Sequence, residues 1–201
     1  MLSLVLLIVS IITMSATNVF AAEAPKNTGD LASCQELWQK MVQAKDQDIN
    51  VFLAKLSPQD QKLAMELLKV TKIETNTSIN NGGLNALTTI YETLLTTTVE
   101  AKNLLGATLW RYEHRITWDW DGTYIVSNPQ WTISGTTYVI GWRYAGVVSS
   151  NTWGGYGQTY YRAYSQGHFI LGIGGWDIEN DYPWIDNTVY GAGGSVTYSG
   201  W

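Results

Sequence analysis

Lysine is absent beyond Lys102, and the chain holds one cysteine, two histidines and four prolines. Each shortage excludes something. Cys34 alone cannot close an intramolecular disulfide, so stability has to come from packing. The histidines, His114 and His168, belong to no H-E-x-x-H helix, and no G-x-S-x-G turn occurs, so zinc-helix and nucleophile-elbow hydrolase motifs are missing. From Gly106 onward the cations are Arg111, Arg115, Arg143 and Arg162, dispersed along a chain of formal net charge −5. A nucleic-acid partner needs clustered Lys and Arg to displace counterions, so that class is excluded. No run of like charge calls for an acidic or basic tail.

Aromatic residues and glycine are abundant instead, and they are concentrated. Gly106 to Trp201 contains nine of the ten tryptophans, eleven of the twelve tyrosines and sixteen of the nineteen glycines. Tryptophan and tyrosine offer flat faces with one polar edge, which suits stacking on sugars, lipid headgroups or a partner protein as well as core packing.

At the N-terminus an apolar run from Leu2 to Met14 is followed by small and polar residues and by Val19-Phe20-Ala21, a small-x-small cleavage pattern. The expectation is a signal peptide over 1–21 cleaved after Ala21, and a secreted, periplasmic or extracellular location. The alternative is an uncleaved anchor, because Leu2 to Phe20 approaches the ~20 residues that span a bilayer and no basic residue precedes the run. Leu31-Ala32-Ser33-Cys34 has lipobox character, yet polar residues from Glu23 to Asp30 separate it from the apolar run. Cys34 is therefore read as a small buried thiol on a helix face.

Residues 22–30 form a polar leader. Residues 31–105 read as a helical segment. Leu37, Met41, Val42, Ile49, Phe52, Leu53 and Leu56 recur at three- and four-residue steps, Ser57-Pro58-Gln59-Asp60 restarts a helix, and Leu63 to Ile73 continue it to about Glu74. Asn76 to Gly83 breaks the pattern and also carries the sequon Asn76-Thr77-Ser78. A third amphipathic run covers Leu84 to Leu105, where Thr96, Thr97 and Thr98 leave strand as an option. Self-association through this segment is the partner expectation it raises.

At Gly106 the period switches to two. Trp110, Tyr112, His114, Ile116, Trp118 and Trp120 alternate with Arg111, Glu113, Arg115, Thr117 and Asp119, a two-faced strand ended by Asp121-Gly122. Strands are expected over Thr123–Val126, Gln130–Ser134, Thr136–Val148, Gln158–Ile173, Trp184–Tyr190 and Ser195–Tyr198, with loops over Ser149–Gly157 and Gly174–Asp181. The fold class is thus α+β in sequence order: an N-terminal helical bundle or hairpin, then over 106–201 an all-β antiparallel sandwich or small barrel. An outer-membrane barrel is the runner-up, although Ser195, Thr197 and Ser199 are not lipid-facing residues.

The candidate ligand-binding residues sit where glycine lets a large ring project from a turn. They are Trp153 and Tyr156 in W-G-G-Y, then Trp176, Asp177, Asn180 and Trp184, with His168 on a polar-aromatic stripe with Tyr160, Arg162, Tyr164 and Gln166. His114, on the aromatic face of its strand, reads as a packed core histidine. Asp177, Glu179 and Asp181 at alternate positions could gather around Ca²⁺ if their loop curls. The leading functional expectation is a secreted non-enzymatic protein that recognises glycan or other cell-surface material. A membrane-active toxin or antimicrobial is one alternative, with contact through interfacial rings. An extracellular hydrolase using Glu113, Asp177 or Asp186 with His168 is the other, and it requires at least two of these in one cleft.

Overall fold

The computed structural model describes residues 18–19, 28–82 and 90–201, with side chains from Leu31 onward. The expected signal peptide and leader lie outside the described residues, apart from Asn18–Val19 and the start of the first helix. Three helices precede the long strands: α1 (Thr28–Gln43), α2 (Ile49–Leu53) and α3 (Pro58–Leu68). Their starts follow local chemistry. The Asn50 amide donates to the Asp48 carboxylate (2.7 Å), and the Asp60 amide donates to Ser57 Oγ (3.2 Å) with Pro58 in the first turn of α3.

Two antiparallel sheets follow. In the first, β1 (Asn18–Val19), β2 (Lys72–Asn81), β3 (Tyr91–Lys102), β4 (Thr108–Trp120) and β5 (Gln130–Thr137) lie side by side in chain order. The chain then crosses to β6 (Trp142–Gly154), β7 (Tyr160–Ile173), β8 (Trp176–Asp181), β9 (Trp184–Tyr190) and β10 (Ser195–Gly200). The second sheet runs β10-β9-β7-β6, and β8 also pairs with β7. Tyr160–Gln166 of β7 bond to β9 and Phe169–Ile173 to β8, so β8 and β9 act as one strand interrupted at Tyr182–Pro183. This is a β-sandwich after a helical N-terminus, as the composition switch implies.

The switch itself lies earlier than expected. The long strands begin at Lys72 rather than Gly106, Asn76–Asn81 belongs to β2, and the anticipated third helix is β3 over Tyr91–Lys102, residues 84–89 falling outside the described residues. Thr93, Leu95, Thr97, Val99 and Ala101 make the buried face of β3. Two of the five are threonines, so a hydrophobicity pattern misses the period of two, while their β-branching favours the pleated backbone. Thr123–Val126 forms no strand but a single bridge, Trp120 to Ile125. The two expected loops are shorter, because β6 extends to Gly154 and residues 176–181 form β8.

The helices plug one end of the sandwich. Leu37, Met41, Ala64, Leu67 and Leu68 pack into one buried cluster with Leu109, Trp110, Val139, Ile140, Trp142, Phe169 and Leu171. Helix-end carbonyls that lack intrahelical partners are used as acceptors: Trp142 Nε1 donates to Leu68 O (3.0 Å) and Asn103 Nδ2 to Leu67 O (3.1 Å). Gly141, at φ +89°, lets the crossing chain pass Ile49, whose Cδ1 lies 2.5 Å from where a Cβ would stand. At the other end Leu95, Ile116, Trp118, Ile125, Tyr161, Ala163 and Val189 form a second cluster.

Between the clusters runs a buried polar belt. Thr97 Oγ1 (3.1 Å) and Thr197 Oγ1 (2.8 Å) donate to Asn187 Oδ1, and Asn187 Nδ2 donates to His114 Nδ1 at 3.2 Å. Tyr112 OH and Ser165 Oγ, 2.8 Å apart, bridge the sheets beside it. His114 is fully buried, and its Nε2 lacks a hydrogen-bond partner while the ring meets Trp131 edge-on at 5.1 Å. Burial lowers its pKa to about 4. The edge strand β6 carries two register shifts, at Ala145 and Val148, where one extra residue leaves the ladder.

Asn187→Ala strips partners from the buried Thr97 and His114 and the half-buried Thr197 at once, so urea denaturation should show a loss of about 3 kcal/mol. Tyr156→Ala, at an exposed turn, should change stability by less than about 0.5 kcal/mol.

Candidate functional site

Along β7 burial alternates, with Tyr161, Ala163, Ser165 and Phe169 facing the core and Tyr160, Arg162, Tyr164, Gln166 and His168 facing out. Register then fixes their neighbours. Arg162 sits between Trp153 of β6 and Thr188 of β9, and Tyr164 sits between Asn151 and Asp186, with Tyr198 of β10 opposite Asp186. Gln166 lies between Ser149 and Trp184, with Gly200 opposite Trp184. The outer face of the second sheet is therefore a four-strand array of rings and polar groups.

Its geometry is ordered by two devices. Arg162 is bidentate on Asp186, through Nε to Oδ1 (2.8 Å) and Nη2 to Oδ2, and its guanidinium lies 4.9 Å from the centre of the Trp153 ring. One cation thus fixes an acid and an indole together. Trp184 lies across Gly200, where a Cβ would come 2.6 Å from its Nε1, and its ring is tilted 32° from Tyr164 at a centroid distance of 6.5 Å. A side chain at position 200 would lift that indole from the sheet. Further up β7, His168 stacks on Tyr182 (4.5 Å) and its Nε2 is 2.8 Å from Asn180 Oδ1. Tyr198 is 65% exposed and Trp153 40% exposed, so these rings are presented to solvent.

Four of the residues singled out from sequence lie on this face, in two groups: Trp153 and Trp184 flank Arg162 and Gln166, whereas His168 and Asn180 meet each other further along β7, Asn180 opposite Ile170 and so about 27 Å from the Trp153 position. The other three lie elsewhere. Tyr156 is in the β6–β7 turn at the end of the sandwich away from the helices, and Trp176, 77% exposed, opens β8 at the helical end. The fourteen residues of β7 separate those two rings by about 40 Å. Asp177 is beside Trp176 and accepts from Arg143 Nη2 at 3.0 Å. Arg162, Tyr164, Asp186 and Tyr198 complete the array. The alternating stripe on β7 signalled Arg162 and Tyr164, whereas the cross-strand neighbours required the register.

The possible Ca²⁺ ligands do not converge. Residues 176–181 are a strand, so Glu179 and Asp181 face the interior opposite Leu171 and Phe169, while Asp177 falls beyond a bulge and pairs outward. Among the described residues no group of three or more His, Cys, Asp or Glu could hold a metal ion. The hydrolase arrangement also lacks its cleft. Glu113 pairs with Arg115 on the outer face of the first sheet, Asp186 is held by Arg162, and Asp177 and Asp186 oppose positions eight residues apart on β7, about 27 Å.

Asp181 is buried and accepts from Trp110 Nε1 at 2.9 Å. Burial raises its pKa to about 6, and burial together with the Asp181 charge raises Glu179 to about 7. Both values exceed those of an unfolded chain, so the stability these groups confer is complete below about pH 4 and lost as pH rises through 6 to 7. His114 acts oppositely, since its depressed pKa removes stability as pH falls from about 6.5 to 4. Asp181→Asn keeps the acceptor and removes the charge. Urea melts should show the variant gaining up to about 2 kcal/mol over the parent at pH 8, about half of that at pH 5 and little at pH 4 or below. No family model, curated protein or solved structure matches this chain.

Proposed function

We propose that this protein is an exported, non-enzymatic glycan-binding module whose ligand lies on the outer face of the second sheet. The observation that supports it best is a register-fixed array in which the exposed Trp153 and Tyr198 and the half-exposed Tyr164 and Trp184 are interleaved with Asn151, Arg162, Gln166 and the largely buried Asp186. Flat rings stack on the C–H faces of pyranoses, and amide, guanidinium and carboxylate groups between them take the hydroxyls. Sheet positions hold such rings at fixed spacing, which lowers the ordering cost of binding compared with rings on loops. Stacked rings contribute about 1–3 kcal/mol each, so two or three engaged at once give millimolar to micromolar affinity.

Export follows from the apolar N-terminal run and its Val19-Phe20-Ala21 site. Cleavage after Ala21 removes Asn18–Val19 and leaves β2 as the edge of the first sheet. Among the described residues no helix is long and apolar enough to cross a membrane. Intact mass of protein recovered outside the cytoplasm should correspond to a chain starting at Ala22.

Polysaccharide pull-down tests the site. The double substitution Trp153→Ala and Tyr198→Ala should weaken retention by about tenfold or more, two lost ring contacts at roughly 1 kcal/mol each. Tyr156→Ala with Trp176→Ala should leave it within about twofold, because those rings lie at the two ends of β7. Unchanged retention by the first variant would reject the face as the binding surface.

A further inference from the structure

We infer that the ligand is an uncharged polysaccharide presented as an extended surface, an inference that rests on the glycan-binding reading of the same face. Between Gly106 and Trp201 there is no lysine, and the two arginines on this face are both engaged, Arg162 by Asp186 in a bidentate pair and Arg143 by Asp177 at 3.0 Å. Those two carboxylates are taken by the same pairs. Glu179 and Asp181 oppose core positions on β7. The face is therefore electrically balanced pair by pair, on a chain whose net charge is −5.

A polymer of uronates, phosphates or sulfates binds by exchanging its counterions for protein cations. No unpaired cation is offered here, and the overall charge repels such a polymer. A polycation finds the acids equally occupied. An uncharged glycan needs neither, and it matches what the face does offer: rings, amides, hydroxyls and already paired ions whose outer lone pairs and N–H groups still reach hydroxyls.

Shape narrows the class further. Trp184 lies down across Gly200 and is tilted by only 32° from Tyr164, and Trp153 is held by the Arg162 guanidinium, so the rings form a platform and not the walls of a slot. An open depression of about 470 Å³ lies elsewhere, beside α1 and the β3–β4 turn, lined by Trp38, Gln39, Leu105 and Ala107 among others. A soluble chain end is captured by enclosure, whereas a platform contacts one side of an ordered, insoluble array.

Adsorption of the whole protein to cellulose, chitin and β-1,3-glucan particles, with polygalacturonate gel and soluble hexasaccharides of each glycan as comparisons, tests this. Expected is adsorption to at least one neutral particle that changes by less than about twofold between about 50 and about 500 mM NaCl, with the matching hexasaccharide at least about tenfold weaker. Asp186→Asn, which keeps an acceptor and frees the Arg162 charge, should confer salt-sensitive retention on polygalacturonate that the parent lacks. Parent binding to polygalacturonate alone, a steep salt dependence, equal affinity for the hexasaccharide, or no adsorption to any neutral particle overturns the inference. The Trp153→Ala and Tyr198→Ala protein separates the two levels. If it loses polygalacturonate binding, the face stands and only the neutral class fails; if it retains whatever binding the parent shows, the glycan-binding reading of the face fails as well.

Discussion

One amide side chain ties this sandwich together. Asn187 is fully buried on β9, accepts hydrogen bonds from Thr97 of the first sheet and Thr197 of β10, and donates to His114 of β4. Three strands besides its own therefore depend on one group for the satisfaction of buried polar atoms, which are expensive to leave unpaired. Because the two hydrophobic clusters lie on either side of this belt, a sheet that slid by one residue would put hydroxyls against leucines and indoles. The belt sets register where apolar packing alone, being non-directional, would tolerate alternatives. That register in turn aligns Trp153, Arg162 and Thr188, and Asn151, Tyr164, Asp186 and Tyr198, on the opposite side of the same strands.

Where alternation is expressed in side chains of contrasting polarity, the fold was legible from sequence. Trp110 to Trp120 reads as a strand because indoles and aliphatics alternate with charges, and Trp184–Tyr190 emerges with the boundaries read from composition. The failure at β3 has the same origin. Thr93 and Thr97 are buried for hydrogen bonding to Trp120 and Asn187, so the inner face of that strand does not look apolar, while Leu84, Leu87, Ile90, Tyr91, Leu94 and Leu95 fall at helical spacing. Threonine in a polar core defeats a pattern built on hydrophobicity. The acids at 177, 179 and 181 carried a period of two as well, masked by the glycines before them.

The candidate site was half legible. Aromatic residues beside glycine drew attention to turns, yet Gly154 of W-G-G-Y ends β6, and Gly200, to which the sequence drew no attention, gives Trp184 a place to lie. Tyr198 and Asp186 could not be assigned to the same surface as Trp153 until β9 and β10 were placed beside β7, since pairing across strands is non-local information. What the sequence did carry was the stripe Tyr160, Arg162, Tyr164, Gln166 and His168, whose alternation with buried partners made one exposed edge-to-edge surface predictable in character if not in extent.

β6 bounds that surface and is thirteen residues long, with its hydrogen-bonding edge on the far side from β7 and with Val147 and Val148 exposed. A straight strand of this kind invites another chain to dock in register and to template fibres. The displaced residues Ala145 and Val148 interrupt the spacing of free amides and carbonyls at two points, so no incoming strand finds more than a short run of matched donors and acceptors. Copies of this protein are thereby kept from adding to one another along this edge in long register, even where their local concentration is high.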